Sequence, residues 1–229
     1  AAVGSLTHQL RYQITRNDAV PASVGKLLTD VPRSVASVGL ELDRDDYFAR
    51  YLGYDDVGVF EALSRDRTLG WTTSRVSELV DLKGRKLQAL MHGGEVLFPG
   101  AIDFIRTAAE AVPIAIASGA LRHEILEILE GAGIAGLFST IVSSGDTPES
   151  KPSPAPYRLA YERLAEASGP IDPQRCVAIE DSAWGIQSAV GAGLRCVGVT
   201  NSYPADQLTG ADLIVNGLQG LSLAALDRL

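Results

Sequence analysis

The sequence predicts an α/β fold: a doubly wound parallel sheet of the Rossmann-like kind, with a small helical cap domain inserted into it. Between residues 101 and 215, short apolar strand segments alternate with helical segments over short loops, the order that gives a parallel sheet with helices on both faces. Residues 43–94 show helical patterning without a strand signal. The predicted domains are therefore a core of residues 1–42 and 95–229 and a cap of residues 43–94.

The elements of the core follow from apolar runs that are bounded by turn residues. Strands are predicted at residues 113–117, 140–143, 176–179, 195–199 and 211–215. Helices are predicted between them, at residues 102–111, 121–131, 155–167 and 182–192. Residues 1–38 are less regular. The alternation of Leu10, Tyr12 and Ile14 suits an edge or half-buried strand, not the continuous apolar run of a central one.

Three helices are predicted in the cap, over residues 45–52, 55–63 and 73–90. Asp43 and Asp55 are suited to start the first two, because a short acidic side chain accepts hydrogen bonds from the free amides of a helix start. A helical domain of this kind can close over a site at the strand ends and exclude water from it.

The composition is that of a globular protein whose partners include neither nucleic acid nor membranes. Of 229 residues, 46% are hydrophobic, and the formal net charge is −8. The chain therefore lacks the basic surface that releases counterions from nucleic acid. Its apolar stretches are too short to span a bilayer and it shows no signal-peptide pattern, which predicts a cytoplasmic location. Cys176 and Cys196 suit buried thiols in a reducing compartment, and a monomer or weak homodimer is expected.

Two adjacent carboxylates, Glu180 and Asp181, follow the predicted strand 176–179 and precede a helix. Ligands bind at the carboxyl ends of the strands in open α/β sheets, and neighbouring carboxylates there repel each other unless a cation or a proton lies between them. Asp181 or Ser182 can also cap the helix that follows. Taken alone, the pair fits an ordinary strand-to-helix turn as well as it fits a metal site.

Ser118 and Gly119 end the predicted strand 113–117. The helix that begins near Leu121 would direct its free amide groups towards the Ser118 hydroxyl, and such a helix start attracts anions, phosphate among them. A serine that only caps the helix is the simpler alternative.

Lys151 lies in a segment that prolines stiffen. Proline fixes its own φ and restricts the residue before it, so this lysine can be held as a point charge in one place. The prolines concerned are Pro148, Pro152, Pro154 and Pro156. A solvated loop lysine is the simpler alternative here.

The three motifs carry more information together than separately. Each falls at the same edge of the predicted sheet, where they would form an anion pocket beside a cation site. Such a pair of sites binds and polarises a phosphoryl group through a divalent metal.

With these motifs, the chain resembles the haloacid dehalogenase superfamily, in the helical-cap subgroup that contains phosphoglycolate phosphatases and β-phosphoglucomutase. The resemblance covers roughly residues 39–229 and lies in Ile116-Ala-Ser118-Gly, Ser150-Lys151-Pro-Ser-Pro154 and Ala178-Ile-Glu180-Asp181-Ser182. It implies that Ser118, Gly119 and Lys151 hold a phosphate and that Glu180 and Asp181 carry Mg²⁺. Dehalogenases proper tend not to show this acidic pair, so the resemblance favours phosphate chemistry.

The first motif of that family, an apolar strand ending in Asp-x-Asp-Gly, does not occur in residues 1–42. By the family's spacing, the nucleophile would fall near Asp18, although Val20 stands where the second acid is expected. Asp30 is another candidate, closer to the cap. The open explanations are a remodelled N-terminus, a shifted or replaced segment, and a fold that has lost its reaction.

Two functions therefore remain open on the sequence. One is a Mg²⁺-dependent phosphatase-like hydrolase that acts on a small phosphorylated metabolite through an aspartyl-phosphate, with Asp18 and Lys151 as catalytic residues and a phosphomutase as its nearest variant. The other is a catalytically impaired protein of the same fold that binds a phosphorylated ligand or another protein.

Overall fold

The computed structural model describes residues 2–4, 36, 40–42, 46–47, 50–51, 54–91 and 97–229, with the backbone alone considered for residues 2–4 and 86–91. The chain divides into two compact units. The core unit comprises Ala1–Gln13 and Leu97–Leu229, and the helical unit comprises Ile14–Val96. Whether residues 43–94 form a separate cap domain, as the sequence predicts, stays a prediction.

A six-stranded parallel sheet lies at the centre of the core unit. Its strands are β1 (Ala2–Gly4), β2 (Ile114–Ala117), β3 (Thr140–Val142), β4 (Val177–Glu180), β5 (Arg195–Val199) and β6 (Leu213–Val215). They are arranged in the order β3-β2-β1-β4-β5-β6, so the chain winds outwards in both directions from β1. This order belongs to a doubly wound sheet, and the predicted fold class is confirmed.

Seven α-helices have both ends within the described residues, and residues 36, 46–47 and 50 are also helical. The seven helices are α1 (Asp56–Asp66), α2 (Thr73–Met91), α3 (Ala101–Ala111), α4 (Arg122–Gly131), α5 (Ala155–Ser168), α6 (Ala183–Gly191) and α7 (Leu223–Leu226). The first two belong to the helical unit and the others to the core unit. None of the helices among the described residues combines the length and the apolar character needed to cross a membrane.

The two faces of the sheet carry side chains of different size. Branched aliphatic residues pack with α3, α4 and α7: Ile114, Ile116, Val177, Ile179, Val197 and Val199. Small residues pack with α5 and α6: Ala115, Ala117, Cys176, Ala178 and Cys196. Because successive side chains of a strand point to opposite faces, β2, β4 and β5 contribute to both layers. Buried cores on both faces explain why the strands read as continuous apolar runs in the sequence.

Most predicted elements of the core unit lie within two residues of the observed ones. The strand 195–199 has the predicted bounds, and the helix predicted at 182–192 is Ala183–Gly191. The last strand begins at Leu213, two residues later than predicted. Half of the predicted helix over 45–52 lies outside the described residues; of the other half, residues 46–47 and 50 are helical and residue 51 is in a turn.

The central strand is the element that the sequence did not reveal. β1 comprises Ala2–Gly4 and pairs with both β2 and β4, with Gly4 opposite Ile116 on one side and Ile179 on the other. Three small residues are too few to show the alternation or the apolar run that identifies a strand. The alternating segment at residues 10–14, which was considered as a strand, lies outside the described residues.

The helical unit contains the predicted start of α1 and a buried ion pair. Asp55 caps α1 by accepting a hydrogen bond from the Gly58 amide at 2.7 Å. Asp56, the first residue of α1, accepts one from the Lys83 ammonium of α2 at 2.5 Å, and both side chains are buried. The pair therefore joins the two helices.

Candidate functional site

The predicted site segments meet at the carboxyl end of the sheet. Ser118 follows β2, while Glu180 ends β4 and Asp181 comes directly after it. Lys151 reaches both strands from the segment before α5. Its Nζ atom donates to the Ala117 carbonyl oxygen at 3.0 Å and to Glu180 Oε1 at 2.6 Å. One lysine thus joins the ends of the two strands that flank β1.

Lys151 is a buried cation, with 6% of its surface exposed. Its ammonium lies 4.7 Å from the centre of the Tyr157 ring, the range of a cation–π contact. An ammonium group has three N–H donors, and Ala117 and Glu180 accept two of them. In the part of the chain that the structure describes, no third acceptor binds this ammonium, so one donor remains available to an anion.

Glu180 is fully buried and accepts hydrogen bonds at both oxygens. Oε1 accepts from Lys151 and, at 2.6 Å, from the Tyr157 hydroxyl. Oε2 accepts from the Asp181 amide and the Ser182 hydroxyl, each at 3.3 Å. Burial raises the pKa of Tyr157 well above its usual range, which keeps its hydroxyl a donor. Glu180 therefore supplies the countercharge that permits a buried lysine.

Gly185 makes room for this carboxylate. It lies in the first turn of α6, and a Cβ atom at this position would overlap the Glu180 carboxylate. The helix is capped by Ser182, whose hydroxyl accepts from the Gly185 amide at 3.1 Å. Since Ser182 is the cap, the Asp181 side chain is not needed to start the helix.

Ser118 is buried in the turn between β2 and α4, and Gly119 follows it. Its amide donates to the Val142 carbonyl at 2.9 Å, and its Oγ accepts from the Ala120 amide at 3.0 Å. The N-cap residue of α4 is Leu121, not Ser118. The simpler interpretation of Ser118, as a helix cap, is therefore wrong, and among the described residues no acceptor binds its hydroxyl hydrogen.

Asp181 is fully buried, and its two oxygens differ. Oδ2 accepts a hydrogen bond from the Ser202 hydroxyl at 2.5 Å, whereas Oδ1 is buried and has no hydrogen-bond partner in the part of the chain that the structure describes. Burial, together with the charge of Glu180, raises the pKa of Asp181 to about 7 against the opposing effects of Ser202 and Lys151. A buried carboxylate with one unpartnered oxygen is unfavourable unless a proton or a cation binds to it.

The contacts fit Mg²⁺ at Asp181 better than at Glu180. The Asp181 Oδ1 atom is a hard oxygen without a partner, the kind of ligand that Mg²⁺ prefers. Both Glu180 oxygens already accept hydrogen bonds. Within the described ranges, no three His, Cys, Asp or Glu side chains cluster together, but Mg²⁺ is usually bound by one or two carboxylates with water and substrate phosphates. The remaining ligands would be water, a phosphate oxygen or residues outside those ranges, and the role of Glu180 as a metal ligand stays a prediction.

The proposed nucleophile Asp18 lies outside the described residues, as does Asp30. The position of β1 bears on both. Gly4 of β1 lies opposite Ile116 on one side and Ile179 on the other. The site residues Ser118 and Asp181 each come two residues after these partners. The residue two positions after Gly4 in the sequence is Leu6, which carries no carboxylate. The sequence contains no Asp or Glu between Gly4 and Asp18. No carboxylate therefore follows the central strand directly.

Sequence reasoning missed two residues of this site. Tyr157, in α5, resembles an ordinary core aromatic, and nothing in its spacing indicates a bond to Glu180. Ser202 was detectable in principle, because a small hydroxyl residue shortly after a buried strand is the signal that identified Ser118. Its partner Asp181 lies 21 residues away in the chain, so only the fold reveals the pair.

Comparison with known proteins identifies relatives of this chain. Residues 65–193 match the family of haloacid dehalogenase-like hydrolases. The chain is 33% identical to protein CbbY of Cereibacter sphaeroides over 66% of its own length and 68% of that protein. It spans 36% and 48% of the length of two further curated relatives.

Solved structures show the same fold. CbbY from Rhodobacter sphaeroides in complex with xylulose-(1,5)bisphosphate matches 99% of this chain and 98% of that one, with a TM-score of 0.77 and 25% identity. A β-phosphoglucomutase from Clostridium difficile matches with a TM-score of 0.79 over 100% of this chain and 95% of that one, at 17% identity.

Proposed function

This chain belongs to the haloacid dehalogenase-like hydrolases, and on that premise we propose that it is a Mg²⁺-dependent phosphatase acting on a small phosphorylated metabolite. The observation that supports this most is the buried Lys151, held between the ends of β2 and β4 with one ammonium donor still available. A buried cation next to a buried hydroxyl at strand ends is suited to bind a phosphate dianion.

Different residues of the core unit would bind the phosphate and the metal ion. Lys151 and the Ser118 hydroxyl would donate to phosphoryl oxygens, with the amide of Gly119 beside them. Asp181 would hold Mg²⁺ through Oδ1, and the ion would neutralise the charge that develops on the transferred group. Glu180 and Tyr157 would keep Lys151 in position through the bonds described above.

The reaction also needs a nucleophile, and we assign this role to Asp18, the first carboxylate after β1. An Asp18 oxygen would attack phosphorus while the ester P–O bond breaks and the leaving alkoxide takes up a proton. Water would then hydrolyse the aspartyl-phosphate. Val20 stands where a second acid is expected, so turnover should be slow, because general acid–base help is typically worth about 10²–10⁴-fold.

The substrate class follows from the relatives. The CbbY protein of R. sphaeroides binds a sugar bisphosphate, and a small phosphate monoester of a sugar or polyol is the substrate class we propose here. A phosphomutase remains the nearest variant, since it differs only in which acceptor takes the phosphoryl group from the aspartate.

A second candidate function is binding of a phosphorylated ligand without turnover. The observation that favours it is the absence of any Asp or Glu between Gly4 and Asp18, directly after the central strand. The anion and cation sites would remain while the chemical step is lost.

One experiment separates these functions. The wild type, Asp18→Asn and the matched control Asp30→Asn are assayed with Mg²⁺ on a panel of small phosphate monoesters, and the binding of inorganic phosphate is measured in parallel. We expect slow turnover by the wild type and Asp30→Asn and none by Asp18→Asn. Undiminished activity in Asp18→Asn would exclude that nucleophile, and phosphate binding without turnover would establish the second function. A wild type that neither binds phosphate nor turns over any ester would contradict both.

A further inference from the structure

Ser202 is a polar residue at the strand ends to which the proposed function gives no role. It follows β5, and its hydroxyl donates to Asp181 Oδ2 at 2.5 Å. Ser182, although adjacent to Asp181 in sequence, instead caps α6 and donates to Glu180. The hydroxyl that restrains Asp181 therefore comes from the neighbouring strand.

The backbone around Ser202 is held in place by hydrogen bonds. The pairing of Glu180 with Gly198 sets the end of β5 beside the end of β4. Thr200 donates its amide to the Val215 carbonyl of β6 at 2.9 Å, and Asn201 donates its amide to the Val199 carbonyl at 2.7 Å. The segment before Ser202 is thus fixed to the sheet, which gives its hydroxyl a defined position.

This hydrogen bond makes the two oxygens of Asp181 unequal. The hydrogen bond from Ser202 opposes rotation of the carboxylate about its last bond, so the plane of the carboxylate and the direction of its second oxygen are fixed. One oxygen, Oδ2, therefore stays with the Ser202 hydroxyl, while Oδ1 is buried and has no hydrogen-bond partner among the described residues. A buried oxygen without a hydrogen-bond partner lowers the stability of the fold. The arrangement is therefore better explained by ligand binding at this oxygen than by a contribution to stability.

We propose that Ser202 is a positioning residue for the cation, which it serves by presenting Asp181 Oδ1 as a single fixed ligand. The proposal rests on the function proposed above, in which Asp181 binds Mg²⁺. This ion demands near-octahedral geometry and usually takes one or two carboxylates with water, so a preset oxygen favours its binding. Removing hydrogen-bond partners of metal ligands typically costs about 10–100-fold in metal affinity.

The test is a calorimetric titration of Mg²⁺ into the wild type, Ser202→Ala and Ser202→Thr. Ser188→Ala is the matched control, because Ser188 is buried and also donates a 2.5 Å hydrogen bond, to the Ser153 carbonyl. We expect Ser202→Ala to weaken Mg²⁺ binding by about 10–100-fold, with affinity retained in Ser202→Thr and Ser188→Ala. Thermal melts without metal show that each variant is folded and separate lost stability from lost metal affinity.

The outcomes distinguish the two proposals. If the wild type does not bind Mg²⁺, the magnesium role of Asp181 and the role of Ser202 are both wrong. If the wild type binds the metal and folded Ser202→Ala binds it equally well, only the role of Ser202 is overturned. An equal loss in Ser188→Ala would also overturn it, because the effect would then follow from any lost buried hydrogen bond.

Discussion

Two buried lysine–carboxylate pairs, one in each unit, resemble each other closely but have different neighbours. Lys151 and Glu180 lie 2.6 Å apart at the strand ends, and Lys83 and Asp56 lie 2.5 Å apart between α1 and α2. At least 95% of each of the four side chains is shielded from solvent. Burial and distance therefore do not separate the two pairs.

Their neighbours do separate them. Next to Glu180 lies Asp181, whose Oδ1 has no partner, and Lys151 retains a donor that the described residues leave available. Asp56 instead begins a helix, where the helix dipole favours its negative charge, and Lys83 ties that helix to the next one. In the described residues, the pair at the strand ends thus adjoins an oxygen without a hydrogen-bond partner, and this contact supports the proposed binding site.

The largest effects should come from removing either lysine. Lys151→Met and Lys83→Met each leave a buried carboxylate without its cation, and each should lower the free energy of unfolding by about 3–5 kcal/mol. The variants should differ in ligand response. Inorganic phosphate with Mg²⁺ should stabilise the wild type and Lys83→Met in urea denaturation but should have no effect on Lys151→Met. If phosphate stabilised both variants, or neither of them, the proposed difference between the two ion pairs would be contradicted.

A smaller effect should come from Asp181 and should depend on pH. Without metal, folded Asp181 keeps its proton up to its pKa of about 7, whereas the unfolded carboxyl loses it near 3.8. The folded state binds more protons between these values, so the free energy of unfolding falls as pH rises from about 4 to about 7. At about 1.4 kcal/mol per pKa unit, this fall is on the order of a few kcal/mol.

Asp181→Asn removes that titration. The variant should gain stability relative to the metal-free wild type above pH 7 and gain little below pH 4, and it should lose its stabilisation by Mg²⁺. Thermal melts across this pH range, with and without the metal, measure both effects. Parallel pH profiles of wild type and variant would show that Asp181 does not carry the raised pKa.

The smallest of the three effects should come from Gly185→Ala, which tests how closely Glu180 is enclosed. The added Cβ would overlap the Glu180 carboxylate, and forced overpacking typically costs about 1–3 kcal/mol. Gly131→Ala is the matched control, because Gly131 is also helical and a Cβ there meets nothing within 4 Å. Urea denaturation should show a loss only for Gly185→Ala, with weaker phosphate binding because Lys151 depends on Glu180. Equal stability of the two variants would contradict the close fit.

The sequence by itself determined the α/β class and most of the core elements. Strands buried on both faces must be short apolar runs, and their ends need turn residues, so local composition is enough to locate them. The same reasoning found the strand-end residues Ser118, Glu180 and Asp181, because an open parallel sheet places its ligands at that edge. The helix start at Asp55 was also predicted from its capping side chain, whereas the sequence left Asp181 and Ser182 both open as the cap of α6.

The tertiary structure alone decided which three residues form the central strand and how the polar residues share their partners. Ala2–Gly4 is a strand because β2 and β4 pair with it on both sides, an interaction that no periodicity within three residues can encode. Glu180 and Asp181 are adjacent in sequence, yet Glu180 receives Lys151 and Asp181 receives Ser202. Successive side chains of an extended chain point in opposite directions, so their partners come from segments 29 and 21 residues away that only folding brings together.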